Sequence, residues 1–142
     1  MNNYQIKSGI ENMDIDAIHS YLSKESYWAR GIPRNTVETS IKNSFCVGVF
    51  TDDVQIGFAR FVTDYSTFAY LADVYILEQH RKKGLSKMLM TFIMEQEWTK
   101  GLRRLLLATL DAHLLYKKFG FDKPKNPEWL MELKRDNVYG NA

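Results

Sequence analysis

Residues 68–98 read FAYLADVYILEQHRKKGLSKMLMTFIMEQEW, and the way this stretch folds sets the frame for the rest of the chain. Residues 70–77 form an apolar run interrupted by one charged side chain, Asp73, as expected of a strand covered on both faces. From Leu85 onward, Met88, Leu89, Phe92, Ile93 and Gln96 recur at the three-and-four spacing of one helical face. The segment between them is therefore a strand-to-helix junction, with the helix starting near Gly84.

Charge at this junction runs against ordinary helix chemistry. Arg81, Lys82, Lys83 and Lys87 crowd the end where unpaired N–H groups and the macrodipole already create positive potential. An anion would remove the conflict, and helix-start amides, a glycine and several cations together make a phosphate site. A nucleotide phosphate loop of the kinase type is disfavoured, because no Gly-x-x-x-x-Gly-Lys-Ser/Thr is present and no carboxylate is suitably placed for Mg²⁺.

Arg81-Lys82-Lys83-Gly84-Leu85-Ser86 resembles the pyrophosphate-binding motif Arg/Gln-x-x-Gly-x-Gly/Ala of the GNAT superfamily of acyl-CoA-dependent N-acyltransferases, with Ser86 where the family has Gly or Ala. A second block, Ala112-His113-Leu114-Leu115-Tyr116-Lys117-Lys118-Phe119-Gly120-Phe121, is similar to the family's later Ala-x-x-Leu-Tyr-x-x-x-Gly-Phe and follows a strand-like run at 105–108. Thr109 stands where the family often has Asn.

The resemblance implies an α/β (α+β) fold: a mixed sheet of about six to seven strands, antiparallel in its first half, a splayed parallel pair of central strands, and about four helices. It implies acetyl-CoA as cosubstrate, without a metal. The pyrophosphate would sit on residues 81–86, and the pantetheine arm would bond Val74, Tyr75 and Ile76 like an added strand. The expected activity is N-acetylation of a primary amine of a small molecule or peptide by direct attack on the thioester. The matched Tyr116 would protonate the departing sulfur, and Asp73 is the candidate general base. Asp73 is also readable as a structural acceptor. Strand alternation puts it on the face of Leu71 and Tyr75, opposite Val74 and Ile76. A non-catalytic acyl-CoA sensor is the alternative reading.

Composition narrows the compartment and the partners. A chain of 142 residues is expected to be one domain spanning 1–142, with apolar content sufficient for a core. A single cysteine, Cys46, allows no internal disulfide and reads as a buried strand residue. The first residues lack a basic stretch followed by an apolar one, and no run reaches membrane-span length, so a soluble cytoplasmic protein is expected. Net charge is +2 with the cations focused near residues 81–87, which argues against a broad nucleic-acid surface.

In chain order, residues 4–7 read as an edge strand, and Asp14 as the cap of a helix carrying Ile15, Ile18 and Leu22. Residues 26–34 hold Tyr27, Trp28 and Arg30, a rigid loop that the resemblance sets beside the acceptor site. A second helix is expected from about Thr36, capped by Asn35 or Thr36. Residues 45–50 and 55–63 read as a hairpin turning at 51–54. The run at 105–108 should lie parallel to 70–77, and Asp111 should cap the helix that follows. Phe121 is expected to start another strand and residues 129–133 a last one, with the aromatic segment around Trp129 suggesting a homodimer edge.

Overall fold

A computed structural model describes residues 3–140. Five strands form one sheet in the order β1-β2-β3-β4-β5: β1 Tyr4–Ser8, β2 Ser44–Thr51, β3 Val54–Thr63, β4 Phe68–Ile76 and β5 Arg104–Leu107. The first four are antiparallel neighbours, while β4 and β5 run parallel. Five helices accompany them: α1 Ile15–Lys24, α2 Arg34–Lys42, α3 Leu85–Met94, the single turn α4 Glu97–Lys100, and α5 His113–Lys117.

The sheet separates two apolar layers. On one face Ile18, Tyr21 and Leu22 of α1 and Val37 and Ile41 of α2 pack on Cys46, Phe50, Phe58 and Tyr75. On the other, Leu85, Leu89, Met90 and Ile93 of α3, with Tyr116 of α5, pack on Val47, Val49, Phe61 and Leu71. Even and odd positions of β2 thus serve opposite layers, as strand alternation requires. The β2–β3 turn is a two-residue loop with Asp52 and Asp53 both at positive φ, the geometry that matches strand twist in a tight hairpin. A Cβ on Gly57 of β3 would meet Ile76 Cδ1 at 2.7 Å and Tyr75 O at 3.1 Å, so a side chain there requires its neighbours to shift.

Buried polar groups fasten the start of α1 to the sheet. Asp14 caps α1 by accepting from Ala17 N–H at 3.1 Å. The buried Gln55 accepts from Asp14 N–H at 2.7 Å and donates to Gly57 O at 3.1 Å.

Several expectations are corrected. The described residues form five strands, not six to seven, because residues 121–125 and 130–136 find no ladder partner and stay irregular. Only the short 3₁₀ turn Pro127–Trp129 interrupts this tail. Five helices replace four, since Gln96 takes an extended conformation and detaches α4 from α3. The second helix begins at Arg34, with Pro33 rather than Asn35 or Thr36 at its cap position; the fixed φ of proline suits a helix entry. Asp111 does not cap α5, where Thr109 Oγ1 instead accepts from Ala112 N–H at 3.0 Å.

Strand β4 does not alternate uniformly. Arg60 pairs with Ala72 but Phe58 pairs with Tyr75, so β4 carries one residue more than β3 across this interval. Asp73 takes up the excess in a left-handed conformation, φ 54°. The phase of the strand flips there, and Leu71 and Tyr75 enter opposite core layers rather than sharing a face.

Truncation of Phe61, fully buried and edge-on to Trp98 at 5.9 Å, removes a central element of the α3 layer. Phe61→Ala should cost about 3–5 kcal/mol in urea unfolding. A loss below about 1 kcal/mol would contradict this packing.

Candidate functional site

The site begins where β5 leaves β4. Their ladder covers only Phe68–Leu71 against Arg104–Leu107, and beyond Leu71 strand β4 keeps β3 alone. Leu77 N–H donates to Ile56 O on the β3 side. Alternation then turns the N–H and C=O of Val74 and the N–H of Ile76 to the open side, while Ile76 O already accepts from Arg81 Nε at 2.8 Å. These are edge groups inside a sheet, able to accept an extended ligand as an added strand.

The open edge runs into the basic loop. A 3₁₀ turn, Glu78–His80, follows β4, Lys82 takes φ 64°, and Gly84 caps α3 at φ 76°. Gly84 supplies no side-chain cap, and the first bond of the helix is Met88 N–H to Gly84 O at 3.1 Å. The N–H groups of Leu85, Ser86 and Lys87 therefore face outward from the helix start. A Cβ on Gly84 would meet nothing within 4 Å, so the backbone is open to approach.

The four cations divide by role. Arg81 braces the loop, donating through Nε to Ile76 O at 2.8 Å and through Nη2 to the Tyr21 hydroxyl at 3.1 Å. Lys83 Nζ donates to the Tyr4 hydroxyl at 3.3 Å, which is 2.9 Å from His80 Nδ1. Lys82 and Lys87 are exposed, and among the described residues no carboxylate pairs with any of the four.

Tyr116 stands on the far side of the split, 7 % exposed and edge-on to Phe121 at 6.1 Å. Burial pushes its phenol up to about 12, with the charges of Asp111 and then Tyr27 adding to the effect. It shares a cavity of about 630 Å³ with Leu107, Thr109 and His113. The hydroxyl is thus neutral throughout the physiological range.

The aromatic loop docks on the β4 bulge. Trp28 Nε1 donates to Asp73 Oδ1 at 2.8 Å, and Tyr27 lies edge-on to Trp28 at 5.0 Å. The other carboxylate oxygen, Oδ2, meets Arg60 Nε at 2.6 Å, and Arg60 Nη1 reaches Ser44 Oγ at 3.1 Å. Asp73 is therefore engaged at both oxygens by charge-assisted or indole N–H bonds. Tyr75 stacks on Tyr21 with ring centroids 3.9 Å apart, and burial followed by the Tyr21 charge raises its phenol well above the usual tyrosine range. Arg30 turns away, donating to Lys24 O at 3.0 Å.

The structure thus brings Tyr27, Trp28, Asp73 and Tyr75 together and leaves Arg30 outside. Arg60 and Tyr21 escape sequence reasoning. Arg60 is the one cation in the apolar run of β3, a signal that a buried partner should be sought. Tyr21 looks like any core aromatic of α1, and only its hydroxyl contact to Arg81 distinguishes it.

The model of the acetyltransferase (GNAT) family matches residues 15–121. A Gibberella zeae protein, provisionally assigned as an acetyltransferase, is 29% identical over 138 residues, covering 82% of this chain and 78% of that protein. A Xanthomonas campestris crystal structure, likewise assigned to the GNAT family, superimposes with a TM-score of 0.94 at 42% identity, over 99% of both chains. A predicted acetyltransferase from Clostridium acetobutylicum, solved with acetyl-CoA, shares the fold with a TM-score of 0.64 at 15% identity, over 94% of this chain and 96% of that one.

Two measurements test this geometry. Asp73→Ala removes the partner of a half-buried arginine and frees Trp28, so it should lower stability by about 3 kcal/mol and shift Trp28 emission. Tyr116 has a folded pKa above its unfolded value of about 10, so folding favours the neutral phenol and this contribution is complete below about pH 10. It is lost as pH rises through about 12. Wild-type stability should therefore fall more steeply than that of Tyr116→Phe between about pH 10 and 12.

Proposed function

Because this chain belongs to the GNAT acetyltransferase family, we propose that it moves the acetyl group of acetyl-CoA directly onto a primary amine of a small molecule or peptide. The observation that carries this reading is the continuity of the β4 edge with the α3 start. An extended ligand bonded to Val74 and Ile76 arrives at a helix N-terminus that has neither a side-chain cap nor a carboxylate. Phosphates suit the second part and a pantetheine amide chain suits the first.

The loop would bind the pyrophosphate through the amides of Leu85 and Ser86 and through Lys82 and Lys83, with Gly84 allowing close approach. Arg81 acts mainly by holding the end of β4 against α1. The pantetheine would lie along Val74, Tyr75 and Ile76, bringing the thioester between the bulge and Tyr116. A neutral amine, entering past Tyr27 and Trp28, attacks the carbonyl carbon, and a backbone N–H of the open edge stabilises the oxyanion. The C–N bond forms, the C–S bond breaks, and the proton lost by nitrogen is the one gained by sulfur.

Tyr116 fits a relay better than a free-standing acid. On reference values, full transfer from a phenol to a free thiolate is uphill by roughly 2 kcal/mol, and burial at Tyr116 makes it more so. A hydroxyl that donates to the departing sulfur while accepting from the substituted ammonium ends the step neutral, avoiding that cost. Asp73, occupied by Arg60 and Trp28, is assigned to holding the acceptor loop on the bulge rather than to deprotonation. The incoming ammonium would lose its first proton to solvent. No helix among the described residues is long and apolar enough to cross a membrane, and the cytoplasm is the compartment this reading implies.

Acetyl-CoA at about 100 times its dissociation constant should add roughly 2.7 kcal/mol to thermal stability. Gly84→Glu, which sets a carboxylate at the phosphate position, should abolish that shift; strain from its φ should cost about 1 kcal/mol in the unliganded protein. Tyr116→Phe should keep the shift and lower kcat for thiol release, with a suitable amine, by about 100-fold. Binding without thiol release across a broad amine panel would instead identify an acyl-CoA sensor. No shift in the folded wild-type protein would refute the donor site itself.

A further inference from the structure

Four aromatic rings and the partners of the arginines around them give the acceptor mouth a chemistry of its own. Tyr75 of β4 stacks on Tyr21 of α1, Trp28 leans on Tyr21 with ring centroids 6.5 Å apart and 47° between planes, and Tyr27 meets Trp28 edge-on at 84°. Tyr21 and Tyr75 are buried, whereas Tyr27 is 66 % exposed and Trp28 41 %. The wall therefore ends outward in an open corner of two nearly perpendicular rings. The indole is not free to turn, because Nε1 is held by Asp73 at 2.8 Å. A fixed corner of this kind offers a ring face and a ring edge to a flat group at little ordering cost.

What the wall lacks is a free guanidinium. Arg60 is committed to Asp73, Arg30 to Lys24 O, Arg34 to Asp16 and Glu38, and Arg81 to Ile76 O and the Tyr21 hydroxyl. A carboxylate or phosphate on an acceptor would find no forked cation left to receive it, and stripping such a group of water without a partner is costly. Electrostatics favours the opposite charge. Burial raises both phenols most; beyond it, Tyr75 feels the charges of Tyr21, Asp14, Glu25 and Asp73, and Tyr116 those of Asp111 and Tyr27, all of them acidic. The mouth thus attracts an ammonium and repels an anion. Asp73 has both oxygens engaged, so a second ammonium on the acceptor would gain no buried carboxylate.

Resting on the acetyl-transfer reading, we infer that the acceptor is a small arylalkylamine: a primary amine on a short chain from an aromatic ring, without an anionic group, its ring seated in the Tyr27–Trp28 corner. The anchoring of Trp28 on the β4 bulge places that corner beside the point where the ladder to β5 ends, so the amine on its short chain reaches toward the split. On the way in, its ammonium gains from the ring faces it passes. An amino acid has the ring or the amine but also a carboxylate with no partner. A peptide lysine has the alkyl amine but no ring for the corner.

Thiol release from acetyl-CoA is to be compared for phenethylamine, phenylalanine, butane-1,4-diamine and an Nα-blocked lysine amide, the first two differing only in the carboxylate. kcat/KM for phenethylamine is expected to exceed that of each of the others by at least about tenfold. Tyr27→Ala should raise KM for phenethylamine by about tenfold with little change in kcat and with the acetyl-CoA thermal shift kept, since an exposed ring that only seats the acceptor acts on binding. Preference for the diamine or the lysine amide, or equal use of phenylalanine, would overturn the assignment. Binding is read separately from transfer: in the presence of CoA, phenethylamine should change tryptophan emission in the wild-type protein and not in Trp28→Phe. An emission change without thiol release from any amine would refute acetyl transfer and keep the aromatic mouth. Neither an emission change nor thiol release with phenethylamine would overturn the mouth itself.

Discussion

Asp73 occupies a left-handed conformation in the middle of β4, and most of what is distinctive about the site depends on that one residue. A non-glycine residue in this region costs on the order of 1–2 kcal/mol. The ion pair to Arg60 and the bond from Trp28 offset the cost by giving the bulged residue two fixed partners. The bulge lets Leu71 serve the α3 layer and Tyr75 the α1 layer. It lies just past Leu71, where the ladder to β5 ends. It also provides the anchor on which the aromatic loop docks. A strand that alternated regularly would present its edge, its tyrosine and its carboxylate in other directions.

Around that bulge the chain keeps opposite chemistry apart. On one side, the α3 start concentrates N–H groups and cations with no carboxylate to neutralise them. On the other, Tyr21, Trp28 and Tyr75 form an aromatic wall in which the charged groups are already paired. Arg81 connects the two, reaching from the loop to both Ile76 O and the Tyr21 hydroxyl. Movement of the loop on binding an anion would therefore be felt by α1 and by the wall it carries.

The elements defined by local pattern are legible in the sequence. The face of α3 follows from its three-and-four spacing, the hairpin from its polar turn, and the crowding of cations at the α3 start from the basic run before it. The two motif blocks identify the family. What depends on contacts distant along the chain is not legible. The bulge at Asp73 leaves no periodic trace, so alternation puts Tyr75 on the wrong face. The pairing of Asp73 with Arg60 joins residues 13 apart in sequence. The bond from Ala112 N–H to Thr109 Oγ1 is hidden because Asp111 is the more obvious capping residue, nearer the helix. Residues 129–133 have strand-like composition, but a strand needs a neighbour, and among the described residues they have none.

The three tryptophans lie in three unlike surroundings. Trp98 is enclosed by Phe45, Phe61 and Tyr65 in the α3 layer. Trp28 is half exposed with its indole N–H held by a carboxylate, and Trp129 stands in solvent. The molecule therefore carries three built-in optical probes, one for the core, one for the acceptor mouth and one for the C-terminal segment. Their emission should separate by wavelength, with the enclosed ring bluest and the solvated ring reddest, so folding, occupancy and assembly can be followed in one unlabelled sample.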